Sequence, residues 1–193
     1  MSAPPSIRRH RFTTSAYFRM AEVGILAEDD RVELIEGEIV EVSPPGYRHS
    51  AVVSRLTALF TPVVAGRAIV RVQDPVILSE FSAPEPDIAL VRYADDFHES
   101  AHPDAGDVLL AVEVADSSVA MDLRLKAWLY AAARVPEYWV VDLKKDRVVV
   151  HTSPGPDGYA SIRSLSSDDI LTIGAFPDLR WTAAAVLGHT RSE

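Results

Sequence analysis

The stretch Val108-Leu-Leu-Ala-Val-Glu-Val-Ala115 is an apolar run interrupted by a single carboxylate, and its reading with the segments after it decides the fold. A short, nearly continuous apolar run is the pattern of a central strand covered on both faces. Ser117 or Ser118 can then cap a long helix reaching about Arg134. Pro136 ends that helix and leads into a strand, Tyr138-Trp-Val-Val141, with Asp142 at its end. Strand, helix and strand in this order predict a right-handed parallel crossover.

Working outward, Pro84-Glu-Pro-Asp-Ile-Ala-Leu-Val91 predicts a strand from about Asp87 to Arg92, with two prolines leading into it. Another strand is expected from about Ala68 to Leu78. Between Tyr47 and Val64, Val52, Val53, Leu56, Leu59, Phe60 and Val63 mark one face of an amphipathic helix. The segment from Arg31 to Val42 alternates on both sides of Glu36-Gly37, a hairpin pattern. Thr13 or Thr14 can cap a short first helix through Tyr17, Phe18 and Met20, ended by Gly24. The remainder reads as strands at 147–150 and 159–163, and a last strand and short helix within 178–187. The expected organisation is a tail over 1–12 and one domain over 13–189, of α/β (α+β) class.

A chain of 193 residues suits one domain, and 48% hydrophobic with 24% charged residues is an ordinary globular mixture. No cysteine is present, which excludes disulfides and thiolate-held zinc. The start, MSAPPSIRRHRF, holds no apolar stretch of signal-peptide length, and Glu113 interrupts the most apolar run, so a cytoplasmic location is expected. With 19 Lys and Arg against 28 Asp and Glu, the net charge of −9 weighs against tight nucleic-acid binding by charge alone. A bound metal would bring its own positive charge to a phosphate. The cluster Arg8, Arg9, His10 and Arg11 can touch phosphates, although a solvated tail is the plainer reading.

Glu113 is hard to explain by structure alone, because an unpaired carboxylate inside an apolar strand is costly. Alternation places it on one face with Leu109, Ala111 and Ala115, whose small members leave room for an ion. The plainer reading is a strand-edge carboxylate reaching solvent or an arginine. Asp87 stands where its strand begins and either caps that entrance or faces the same point as Glu113. Two such charges ~4 Å apart repel by roughly 4 kcal/mol at an effective dielectric near 20, so they need a cation between them. Magnesium, with oxygen ligands and retained waters, suits that need. Lys126 lies thirteen residues after Glu113 on the returning helix, where an Asp122 to Lys126 surface pair is the ordinary expectation.

Four segments carry a family resemblance: Arg31-Val-Glu-Leu-Ile-Glu-Gly-Glu-Ile-Val-Glu-Val-Ser-Pro44, Glu85-Pro-Asp-Ile-Ala-Leu-Val91, Val112-Glu-Val-Ala-Asp-Ser-Ser118 and Asp122-Leu-Arg-Leu-Lys-Ala-Trp-Leu-Tyr130. Pro136-Glu-Tyr-Trp-Val-Val-Asp142 continues it. Together they resemble the Uma-type restriction endonuclease family of the PD-(D/E)XK nuclease superfamily, over nearly the whole chain. The resemblance implies a mixed sheet flanked by helices, here with an N-terminal hairpin extension. It matches Asp87 to the superfamily's Pro-Asp carboxylate and Glu113 to its second acidic ligand. The superfamily lysine normally stands two residues beyond that acid, where this chain has Ala115; a lysine from the following helix replaces it in the family, which points to Lys126. Glu33 and His49 also match family positions, as an added acidic ligand or a phosphate or water contact, and equally read as a hairpin surface residue and a first-turn helix residue.

The resulting expectation is an endonuclease hydrolysing DNA phosphodiester bonds, with Mg²⁺ (or Mn²⁺ in its place) on Asp87 and Glu113 and with Lys126 beside the reacting phosphate. The alternative is a catalytically inactive nuclease-fold module that binds nucleic acid or protein. A homodimer is left open, since cutting both strands needs two sites. Ser117 and Ser118 read as helix caps rather than nucleophiles, and no phosphate-cradling Walker loop supports another phosphate-ester chemistry.

Overall fold

The computed structural model describes residues 9–27 and 29–189; Arg8 of the basic cluster lies outside them. In chain order the elements are α1 (Thr14–Glu22), β1 (Val32–Ile35), β2 (Glu38–Glu41), α2 (Tyr47–Val64), β3 (Ala68–Arg71), β4 (Ile88–Arg92) and β5 (Val108–Ala115). Then come α3 (Val119–Met121), a π-helical segment (Asp122–Lys126), α4 (Ala127–Ala132), β6 (Glu137–Asp142), β7 (Arg147–Gly155), β8 (Gly158–Leu165), β9 (Ile170–Ile173), β10 (Phe176–Thr182) and α5 (Ala183–Leu187).

Six strands form one mixed sheet in the order β3-β4-β5-β6-β7-β8. All neighbours are antiparallel except β5 and β6, which run parallel as the strand-helix-strand pattern requires, with Glu113 paired to Val140. The central strands are buried on both faces. Leu110, Val112, Val114, Trp139 and Val141 meet α2, α5 and β9 on one side. On the other, Ala111, Ala115, Tyr138 and Val140 meet α4 through Ala127, Tyr130 and Ala131. Fully burying one such large apolar side chain contributes about 1.5–3 kcal/mol. No helix among the described residues is long and apolar enough to cross a membrane.

The β1–β2 hairpin is a separate two-stranded sheet, joined to the rest by a Leu34 to Ala83 bridge. Its turn has positive φ at Glu36 (52°) and Gly37 (83°), the two-residue geometry that suits the strand twist. A Cβ on Gly37 would also lie 2.6 Å from the Arg11 Cβ, so glycine is required there twice over. Arg11 is held against the hairpin: its Nε donates to the Glu36 carbonyl at 2.8 Å and its guanidinium lies 4.1 Å from the Phe81 ring centre.

Three expectations from the sequence need correction. The strand expected to reach Leu78 ends at Arg71, because Gln73 takes a left-handed φ of 54° and turns the chain. Leu109 does not share the face of Glu113: a register shift between Leu90 and Val91 pairs Val91 with Val108, and Leu109 packs on the opposite side. The long helix is broken by the π-helical segment. Ser118 stands at the head of α3 without capping a backbone N–H; its Oγ donates instead to Asp122 Oδ2 at 2.5 Å.

Buried Glu137 ties the main sheet to the β9–β10 hairpin. It accepts from Trp139 Nε1 and from the Gly174 N–H, each at 2.6 Å. Glu137→Ala strands both donors and should lower unfolding free energy by about 2–4 kcal/mol in urea titration; a loss below about 0.5 kcal/mol would show that these bonds carry no stability.

Candidate active site

The β4–β5 register sets the centre of the site. Ile88 pairs with Val112, so one residue further Asp87 stands opposite Glu113. Directly opposite residues of an antiparallel pair project to the same face. Asp87 is buried at the strand entrance with three donors on its carboxylate. Oδ2 accepts from the Val114 N–H at 2.8 Å and bonds His49 Nε2 at 2.9 Å; Oδ1 accepts from Gln73 Nε2 at 3.0 Å. Asp87 therefore both caps the strand entrance and faces the side of the sheet that carries Glu113. Gln73 was not legible from the sequence, because it reaches Asp87 only through the left-handed turn that ends β3.

Lys126 is not on a solvated helix face. Its side chain is 5% exposed, and Nζ donates to Glu33 Oε1 at 2.9 Å and to Glu113 Oε1 at 3.0 Å. A π-helical turn adds a residue to the ladder and re-aims the side chains around it, and here it delivers Asp122 and Lys126 into the interior together. Burial by itself would depress the Lys126 amine; the carboxylates of Glu113, Glu33 and Asp122 overcome it and hold the amine above its ordinary value, hence charged. Burial pushes Glu113 well upward against the Lys126 attraction, with Asp122, Glu33 and Asp87 adding to the rise. Tyr130 completes this side, its hydroxyl 3.4 Å from Glu113 Oε1.

All of the residues singled out in the sequence, Glu33, His49, Asp87, Glu113 and Lys126, line one cleft of about 880 Å³. Glu85 and Asp122 line it too, so carboxylates outnumber the ammonium. Burial, then Glu33 and Asp74, push Glu85 up to about 7. Glu33 Oε2 is buried without a hydrogen-bond partner. An excess of buried carboxylate oxygen with one atom orphaned fits a hard divalent cation. Among the described residues no three His, Asp or Glu converge as a ready-made cage. The fit is therefore to an ion that takes one or two carboxylates and completes its shell with water or phosphate, as Mg²⁺ does.

A mixed sheet flanked by helices, with paired carboxylates where two central strands meet and a lysine from the crossover, defines a restriction-endonuclease-like fold. The chain belongs to the Uma2 family, described as "Putative restriction endonuclease", whose family model matches residues 14–185. A crystal structure of an Anabaena variabilis protein described as a putative nuclease belonging to DUF820 superposes with a TM-score of 0.71. The match covers 92% of this chain and 98% of that one at 16% identity, a likeness of fold. No curated protein matches the chain.

Lys126→Met leaves Glu33 and Glu113 buried without their ammonium. It should destabilise the metal-free protein by about 3–5 kcal/mol in urea titration. Adding Glu33→Gln and Glu113→Gln should restore most of that; a single-variant loss under about 1 kcal/mol would show the cluster to be solvated. Because Glu85 is raised when folded, its favourable contribution is present below its unfolded value and lost as pH rises through about 7. Glu85→Gln should therefore raise the unfolding midpoint in EDTA near pH 8.5 and leave it unchanged near pH 4; equal midpoints at both would contradict the shift.

Proposed function

We propose that this chain is a Mg²⁺-dependent endodeoxyribonuclease that hydrolyses DNA phosphodiester bonds in the cleft built on Asp87, Glu113 and Lys126. The observation that carries the reading is the opposition of Asp87 and Glu113 across one strand pair, with the Lys126 ammonium 3.0 Å from Glu113.

Asp87 and Glu113 would hold the cation, with Mn²⁺ able to substitute. When bound, Mg²⁺ supplies Lewis-acid polarisation of the phosphate and a more acidic water. The remaining work falls to side chains. His49, Gln73 and the Val114 N–H fix the Asp87 carboxylate, with two partners on Oδ2 and one on Oδ1. Lys126 has no acceptor and stays protonated, so it acts as a donor toward the oxygen on which negative charge develops, never as the base. Glu33 accepts from the Lys126 amine independently of Glu113, so it would keep the amine in place if Glu113 held a cation. The attacking oxygen comes from water: Ser118 is engaged with Asp122, and among the described residues no histidine partners it.

A second reading, a nuclease-fold binding module without catalysis, draws support from the clamping of Lys126 between two glutamates and from the net charge of −9. Two measurements separate the readings. Supercoiled plasmid incubated with Mg²⁺ should be nicked, and Glu113→Ala should fall to background; cleavage surviving in that variant refutes the site. Calorimetric titration with Mg²⁺ or Mn²⁺ should give binding heat that disappears in Asp87→Asn/Glu113→Gln. The binding-module reading expects no such heat.

A further inference from the structure

The cleft needs a route by which a polyanion can approach it, and charge is unevenly placed around its rim. On the hairpin side Asp29, Asp30 and Glu41 line it with a single arginine, Arg31, a net acidic edge that repels phosphate. Arg11 does not offset this, because it is paired with Glu36. Beyond Glu41 the rim continues through Pro44, Pro45 and Gly46, at the start of α2. There Tyr47 stands out, 94% exposed, the most exposed large hydrophobic residue among those described. An aromatic ring without packing neighbours costs apolar exposure and adds nothing to the core.

Against this lip lies the β6–β7 turn. The Leu143 N–H donates to the Ala115 carbonyl at 2.9 Å, at the end of the strand carrying Glu113. Arg48, next to Tyr47, donates to the Leu143 carbonyl at 2.6 Å and pairs with Asp146, fixing the turn to the helix start. The acids of the turn are thereby accounted for: Asp146 by Arg48, and Asp142 by Arg147 Nε at 3.0 Å. Lys144 and Lys145 are exposed, and among the described residues neither ammonium is in an ion pair with a carboxylate. Two lysines outside any ion pair among the described residues and a bare aromatic ring thus adjoin this stretch of the rim, where Asp116 is the acid beside Gly46.

We infer that Tyr47, Lys144 and Lys145 form a contact strip for an unpaired stretch of DNA, whose phosphates pass the two lysines while a base stacks on the tyrosine ring. Lysines tracking a backbone beside an aromatic stacking surface are the elements of single-strand binding. A paired base presents no free face to Tyr47, so the ring favours frayed, branched or single-stranded substrate over plain duplex. The inference rests on the nuclease reading for what lies beyond the lip, but binding to the strip is measurable without cleavage.

The test is fluorescence anisotropy in EDTA with the full chain, using labelled oligo(dT) and a duplex of equal length. Lys144→Glu/Lys145→Glu should weaken oligo(dT) binding at least about tenfold at low salt and reduce the salt slope by about 1.4. Tyr47→Ala should weaken oligo(dT) roughly tenfold with the salt slope and duplex binding unchanged, and Tyr47→Phe should retain binding. Arg163→Glu/Arg180→Glu, exposed on β8 and β10, imposes the same charge change elsewhere and serves as the reference. Equal losses in the two charge-reversal variants, or no binding by the unmodified chain, overturn the strip. Full-strength oligo(dT) binding by Tyr47→Ala overturns its assignment to unpaired bases. A chain that binds as expected yet nicks nothing with Mg²⁺ keeps the strip and loses the nuclease reading; one that nicks but is indifferent to these substitutions does the reverse.

Discussion

An ammonium with 5% of its side chain exposed persists only where carboxylates surround it, and the cleft is organised around that need at Lys126. The two carboxylates that meet it come from distant parts of the chain. Glu113 belongs to the central strand β5, and Glu33 to the hairpin, which lies outside the six-stranded sheet. The same ion pairs therefore dock the hairpin and close one wall of the site. Asp87 lies across the strand pair, held by backbone and side-chain donors rather than by the lysine, so the two acids have different environments on one face. In the proposed function that asymmetry would make Asp87 the fixed anchor and Glu113 the acid that exchanges its partner.

Much of this arrangement was readable in the residues. Apolar runs at 108–115 and 138–141, with a helix between, gave the parallel pair, and the interruption by Glu113 marked the acid that burial would make expensive. The Pro84-Glu-Pro-Asp87 approach placed the second acid at a strand entrance. Illegible were features set by backbone irregularity. The bulge at Leu90/Val91 moved Leu109 to the other face, which simple alternation cannot foresee. The π-helical segment turned an expected Asp122 to Lys126 surface pair into two buried groups with separate partners. Gln73 reached Asp87 because of a left-handed backbone at a residue type that gives no signal of it. Family resemblance located Glu33 and His49; residue patterning would have left both on the surface.

The acidic balance of the chain also takes a definite place in the structure. Carboxylates are concentrated in the cleft and along its hairpin rim, where they suit a divalent cation and oppose phosphate. Lys144 and Lys145, in no ion pair among the described residues, stand at the β6–β7 turn, next to the end of β5. Under the proposed function, a cation in the cleft and lysines at its lip would be complementary means of bringing an acidic protein to a polyanion. The fold links them directly, since the strand bearing Glu113 ends at the residue that holds the turn.

The joint seating of a cation by Asp87 and Glu113 is the central claim, and anomalous diffraction from crystals soaked in Mn²⁺ tests it most directly. The account predicts a manganese peak within about 2.0–2.3 Å of an oxygen of each acid, with Glu113 turned away from Lys126 and Glu33 still bonded to the amine. A peak elsewhere, or none with both glutamates still clamped on Lys126, would contradict it.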